Sequence, residues 1–171
     1  MTNGWRLHPS SARLNPILIY ILAVYMTICV QNCQRTVAIH TAAVKRRVQR
    51  VMAYLSCSDR ELSVVFGDDC LLQELNRIYR HQDRATNVLA FPQHPTYEGE
   101  PVTAMLGDVI VSLPTAAREA YALQQSLEER VVYLLLHGIL HLLGYDHERS
   151  STQRRHMEAL ERRVLAYLHD E

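Results

Sequence analysis

The chain has 171 residues, of which 48% are hydrophobic and 21% charged, with 18 basic and 18 acidic side chains. That length suits one domain with a real core, and the composition excludes a disordered polymer. A formal net charge of zero excludes binding of nucleic acid or membrane through whole-chain charge, so any such contact must come from a local patch.

Residues 1–25 stand apart. Pro16 to Val30 is uncharged and follows Arg6 and Arg13, the outline of a secretory signal or anchor. The run is shorter than the roughly 20 apolar residues of a membrane-spanning helix. It also fits upstream sequence before a start at Met26, from which MTICVQN reads as an ordinary first strand. Residues 1–25 are therefore expected outside the fold, and 26–171 are expected to form a single domain without stable membrane association.

Residues 27–31 read as a strand. Val37 to Leu55 reads as a helix, with Val37, Val44, Val48 and Met52 near helical spacing. Glu61 to Gly67 is rich in β-branched residues and reads as a strand. Asp68 and Asp69 suit the cap of a helix from Cys70 to Arg80. Asn87 to Phe91 reads as a strand, Gln93 to Pro101 as a loop, and Leu106 to Ser112 as another strand. Pro114 suits the first turn of a helix over Thr115 to Gln124. Ser126 and Glu129 form a capping box for a helix from Leu127 to Leu143, and a last helix covers Thr152 to Leu168. Strands and helices mix without regular alternation, which implies an α+β fold with a small mixed sheet covered by helices.

Cys29, Cys33, Cys57 and Cys70 show no CxxC spacing. They are expected to be reduced, mostly buried thiols, which favours the cytoplasm.

The helix from Leu127 carries the chemistry. After Arg130 it is apolar on all sides, as in a buried helix, yet it contains His137 and His141. Buried imidazoles need partners. Residues i and i+4 share one face about 6 Å apart along the axis, so both rings can aim at one metal ion. His147 is the third candidate ligand. In a continuing helix it would lie about 15 Å from His137, so the chain must turn first. Gly144 supplies that turn, since glycine enters the left-handed conformation without the usual steric cost.

His137-Gly-Ile-Leu-His141-Leu-Leu-Gly144-Tyr-Asp-His147 shares its ligand and glycine positions with the extended zinc-protease pattern HExxHxxGxxH, a zincin-like arrangement. Gly138 replaces the protease glutamate and cannot transfer a proton, which argues against a protease. Three histidines leave a coordination position open on one Zn2+ ion, as catalytic zinc requires. A structural site would instead be closed by a fourth ligand, for which Asp146 or Glu148 is available; Asp146 is more simply a helix-end residue or an acceptor behind the ligands. His8, His40, His81, His94, His156 and His169 read as surface residues.

The segment HGILHLLGYDH resembles the signature of the YbeY family, bacterial endoribonucleases and ribosomal RNA maturation factors. Leu75 to Pro92, LNRIYRHQDRATNVLAFP, resembles the family's LNxxYRxxDxPTDVLSFP, and Leu106 to Ser112 resembles its LGDIxIS strand. The resemblance runs from about Met26 to Leu168. Ala85, Asn87 and Ala90 depart from the usual Pro, Asp and Ser, and none is a metal ligand.

The resemblance implies a zinc-dependent, single-strand-specific endoribonuclease that processes the 3′ end of small-subunit (16S) ribosomal RNA and serves ribosome quality control. The implied partners are single-stranded RNA, the small ribosomal subunit and assembly factors. It also implies that the three-His helix packs under the sheet, and that Arg80 matches the family's functional arginine. A guanidinium suits that role, being permanently charged and able to bind phosphate bidentately. Residues 31–90 hold nine basic and six acidic side chains, and Lys45, Arg46, Arg47 and Arg50 read either as a phosphate contact or as a solvated helix face. Two alternatives stay open: a metal-dependent hydrolase of peptides or small substrates, and a non-catalytic ribosome-assembly factor stabilised by zinc.

Overall fold

The computed structural model describes residues 28–93, 104–146 and 150–170. The expectations on residues 1–25, on the loop beyond Gln93, and on His147 and Glu148 lie outside the described residues.

Four strands alternate irregularly with five helices among the described residues. The strands are β1 (Ile28–Asn32), β2 (Glu61–Gly67), β3 (Val88–Pro92) and β4 (Met105–Ser112). The helices are α1 (Thr41–Tyr54), α2 (Asp69–Arg80), α3 (Leu113–Ala122), α4 (Leu127–Leu142) and α5 (Ser151–His169). The sheet order is β1-β2-β4-β3, with β1, β2 and β4 parallel and β3 antiparallel to β4 at the edge. This is the expected α+β architecture with a small mixed sheet.

Alternation along the strands divides the core. Leu62, Val64 and Phe66 of β2 and Val109 and Val111 of β4 join the larger cluster, with α1, α4 and α5. Val65 and Ile110 face the other side, where Leu72 of α2 and Leu89 of β3 complete a smaller cluster. Helix α4 packs against β3, β4, α1, α3 and α5. Its Leu134, Leu135, Leu136, Ile139 and Leu140 are all at most 1% exposed. At about 2 kcal/mol for each such side chain buried, α4 is the main apolar anchor of the fold.

Three local expectations change. Helix α1 starts at Thr41 rather than Val37 because Gln34 captures the preceding backbone. Its Oε1 accepts from the N–H groups of Thr36 (2.8 Å) and Val37 (2.9 Å), and its Nε2 donates to the Val37 carbonyl at 2.9 Å. Of the two aspartates before α2, Asp68 is the cap, accepting from Leu71 N at 2.9 Å. Asp69 instead ties α2 to β4 and α3, accepting from Ser112 Oγ, Thr115 Oγ1 (2.6 Å) and Arg118 Nη2 (2.7 Å). The four cysteines are free thiols, but Cys29, Cys33 and Cys70 are exposed. Only Cys57 is buried, and burial, with the Asp59 charge, pushes its thiol up to about 11.

Candidate functional site

Helix α4 is buried on every side except one. From Val131 to Leu142 the only residues not buried are Tyr133, His137 and His141, which recur every fourth position and so form one stripe. The capping box fixes the helix start: Glu129 N donates to Ser126 Oγ at 3.2 Å, and Ser126 N donates to Glu129 Oε2 at 2.9 Å. At the other end Tyr145 N donates to Leu140 O (3.0 Å) and Gly144 N to His141 O (2.9 Å), the paired bonds of a glycine-terminated helix. Gly144 has φ +89°, which terminates α4 one turn after His141.

The two imidazoles face each other. Nε2 of His137 and Nε2 of His141 are 3.2 Å apart, with the rings edge to face at 78°. On the far side of its ring, His137 Nδ1 is 2.7 Å from Glu161 Oε1. A carboxylate oxygen accepts, so Nδ1 carries the proton and Nε2 presents a lone pair toward His141. Lone pairs opposed at that distance repel unless a proton or a cation sits against them. The geometry suits a cation: two nitrogens bound to tetrahedral zinc at roughly 2.0–2.1 Å lie about 3.3–3.4 Å apart. The Glu161 backing is the arrangement that orients metal-bound histidines. Among the described residues no three His, Cys, Asp or Glu side chains converge on one point. His147, the expected third ligand, lies outside them.

Glu161 escaped the sequence reading. The buried face of α5 is Met157, Glu161, Val164 and Leu168, so this carboxylate sits on an apolar stripe at helical spacing. A buried acid on such a stripe calls for a partner, and that was the available signal. Tyr133 completes the group, its hydroxyl 3.5 Å from Glu161 Oε2 and its ring over the His137 ring. Burial, followed by the Glu161 charge, raises the Tyr133 phenol above its ordinary value.

Gly138 has a packing role that the motif comparison did not show. A Cβ there would meet Val109 Cγ1 at 2.6 Å, so the missing side chain lets α4 lie directly against β4.

His137, Gly138 and His141 open on a cleft of about 590 Å3 whose other wall is β3 and the end of α2. Arg80 and Asp146 line this cleft. So do Tyr79, 62% exposed, and Phe91, which meet edge to face at 5.0 Å. The structure thus brings His137, His141 and Arg80 to one cavity. Lys45, Arg46, Arg47 and Arg50 do not line it. Arg50 lies over the Tyr167 ring and donates to the Tyr167 carbonyl at 3.1 Å, joining α1 to α5. His40, His81, His156 and His169 are exposed, as a surface role requires.

Asn87, where the family pattern commonly has Asp, donates to Glu119 Oε1 at 3.0 Å. Arg130 holds the other oxygen of Glu119 at 2.8 Å. An aspartate at 87 would set its own carboxylate against that of Glu119.

These features define a class: a mixed-sheet α+β protein whose buried helix presents two facing imidazoles to a cleft bordered by an arginine and an aromatic pair. The family model described as Endoribonuclease YbeY matches residues 29–169, and the chain belongs to that family. A relative from Geobacter metallireducens named Endoribonuclease YbeY is 45% identical over 147 residues, covering 85% of this chain and 98% of that one. Another of that name, from Syntrophotalea carbinolica, is 40% identical over 146 residues, covering 83% and 95%. The solution structure of TM1509 from Thermotoga maritima shares the fold, with a TM-score of 0.59 at 24% identity over 83% of this chain and 89% of that one.

Proposed function

We propose that this protein is a zinc-dependent endoribonuclease that cuts single-stranded RNA, acting in the cytoplasm on the 3′ end of small-subunit ribosomal RNA and in ribosome quality control. The observation that carries the reading is the facing His137–His141 pair, backed by Glu161, opening on a cleft that Arg80 shares. Membership of the endoribonuclease YbeY family supports it. No helix among the described residues is long and apolar enough to cross a membrane.

His137, His141 and His147 would hold the metal. Zinc in such a site supplies a Lewis acid and an acidified water. Glu161 holds the His137 ring in the tautomer that presents Nε2. Arg80 binds the scissile phosphate and offsets negative charge that builds up in the transition state. Tyr79 and Phe91 offer aromatic surface against which an unpaired base stacks, which favours single strands over a duplex whose bases already stack on each other. Gly138 rules out the proton-transfer role held by glutamate at that position in zinc proteases.

One observation favours a peptide substrate instead. Strand β3 lines the cleft and is the edge of the sheet, the position at which an extended peptide adds as a further strand. The two readings part in one experiment. Zinc-loaded protein is incubated with a single-stranded RNA, a duplex of the same sequence and an unstructured protein. Cleavage of the first alone is expected; cleavage of the protein alone would establish the peptidase and end the ribonuclease reading.

A further inference from the structure

Arg80 borders two hollows. The second, of about 340 Å3, adjoins the imidazole cleft and shares Arg80, Thr86 and Asn87 with it. It lies over the turn from α2 to β3, and the exposed Arg84 lines it. Arg84 Nε donates to Gln82 Oε1 at 3.1 Å, and among the described residues Arg84 enters no ion pair.

The turn is held independently of any ligand. Asn76, only 2% exposed, donates from Nδ2 to the Arg84 carbonyl at 2.9 Å, and its own carbonyl accepts from Gln82 N at 3.2 Å. Gln73 Nε2 donates to Asp83 Oδ1 at 2.8 Å. The backbone that carries Arg84 is therefore ordered beforehand, which lowers the entropic cost of using it. The acid that lines this hollow, Glu119, is engaged on both oxygens by Asn87 and Arg130. A second guanidinium thus borders a cavity whose carboxylate is already compensated.

We propose that this hollow is a second subsite for the RNA strand, in which Arg84 binds a backbone phosphate adjacent to the one at Arg80. The proposal rests on the reading that the imidazole cleft takes single-stranded RNA. Two arginines bordering adjoining cavities match a repeating polyanion better than a single small anion. Amide and hydroxyl groups of Gln82, Thr86 and Asn87 along the same wall suit ribose hydroxyls and base edges.

The test is fluorescence anisotropy of a single-stranded octaribonucleotide with phosphorothioate linkages, titrated with zinc-loaded protein across a range of salt concentrations. Arg84→Ala is expected to bind about tenfold more weakly. Its salt slope should be shallower by about 0.7, the share of one phosphate contact on a single strand. Arg84→Lys should recover the slope and part of the affinity. Arg163→Ala removes the same charge from an exposed position on α5 and should leave the slope unchanged, and equal melting temperatures for all variants show that each is folded. Wild-type affinity and slope in Arg84→Ala, while the unaltered protein binds and cuts RNA, overturn the subsite and leave the cleft reading standing. No RNA binding by the unaltered protein overturns both. Polyglutamate binding as tightly, with the same dependence on Arg84, would identify the occupant as an acidic protein segment and overturn the assignment to RNA.

Discussion

His137 Nδ1 and Glu161 Oε1 meet at 2.7 Å across the contact between α4 and α5, so a carboxylate 24 residues away decides which nitrogen of His137 can face His141. Glu161→Gln keeps the volume and removes the charge. Zinc affinity, measured by competition with a chelator of known strength, should fall about 10- to 100-fold, the usual effect of losing such a backing group. Wild-type affinity in a folded variant would reduce Glu161 to a packing residue.

Arg80 reaches the same cleft from the last turn of α2. Arg80→Ala should retain full zinc content by atomic absorption while losing at least 100-fold in RNA cleavage, in line with removal of a group that stabilises transition-state charge. Equal cleavage by the variant would remove Arg80 from the chemistry.

Tyr79 places an exposed ring beside Arg80. If it stacks on a base, Tyr79→Ala should weaken single-stranded RNA binding by about 1–3 kcal/mol. Tyr79→Phe should restore most of that loss, because stacking needs the ring and not the hydroxyl. A Phe variant as weak as the Ala variant would point to the hydroxyl instead.

Gly138 puts two effects in opposition. Alanine in a helix interior gains about 1 kcal/mol over glycine from propensity. The added Cβ, however, would stand 2.6 Å from Cγ1 of Val109, a stiff side chain with no exposure. Overpacking costs about 1–3 kcal/mol, so Gly138→Ala should lower the urea midpoint. Adding Val109→Ala to Gly138→Ala should raise that variant above Val109→Ala alone. A stabilised single variant would refute the close approach.

Asp69 sets an acid limit. Burial alone would raise its carboxyl, but bonds from Ser112, Thr115 and Arg118 outweigh burial and hold it below the ordinary aspartate value. A depressed folded value adds stability above the unfolded value of about 3.9 and loses it as pH falls through the folded value. Urea midpoints should therefore drop as pH falls below about 4, and Asp69→Asn should flatten that limb while lowering the plateau at about pH 6. Parallel curves for the two proteins would show that the acid limb comes from other groups.

Much of this was legible beforehand for local reasons. The capping box at Ser126, the glycine turn at Gly144 and the apolar run of α4 are encoded within a few residues, so the helix that carries His137 and His141 could be drawn from sequence. The start of α1 could not, because Gln34 competes for backbone donors that helical periodicity leaves out of account.

By itself the sequence determined the fold class and the helical face shared by His137 and His141, while Arg80 stood out only through the resemblance of Leu75 to Pro92 to the family pattern. Tertiary structure alone decided the partners that come from distant segments: Glu161 behind His137, Val109 against Gly138, Asn87 on Glu119, and the cleft between β3 and α4. The physical reason is range. Propensity, capping and periodicity act over one or two turns, whereas each of these pairings exists only after the sheet and α5 have closed around α4.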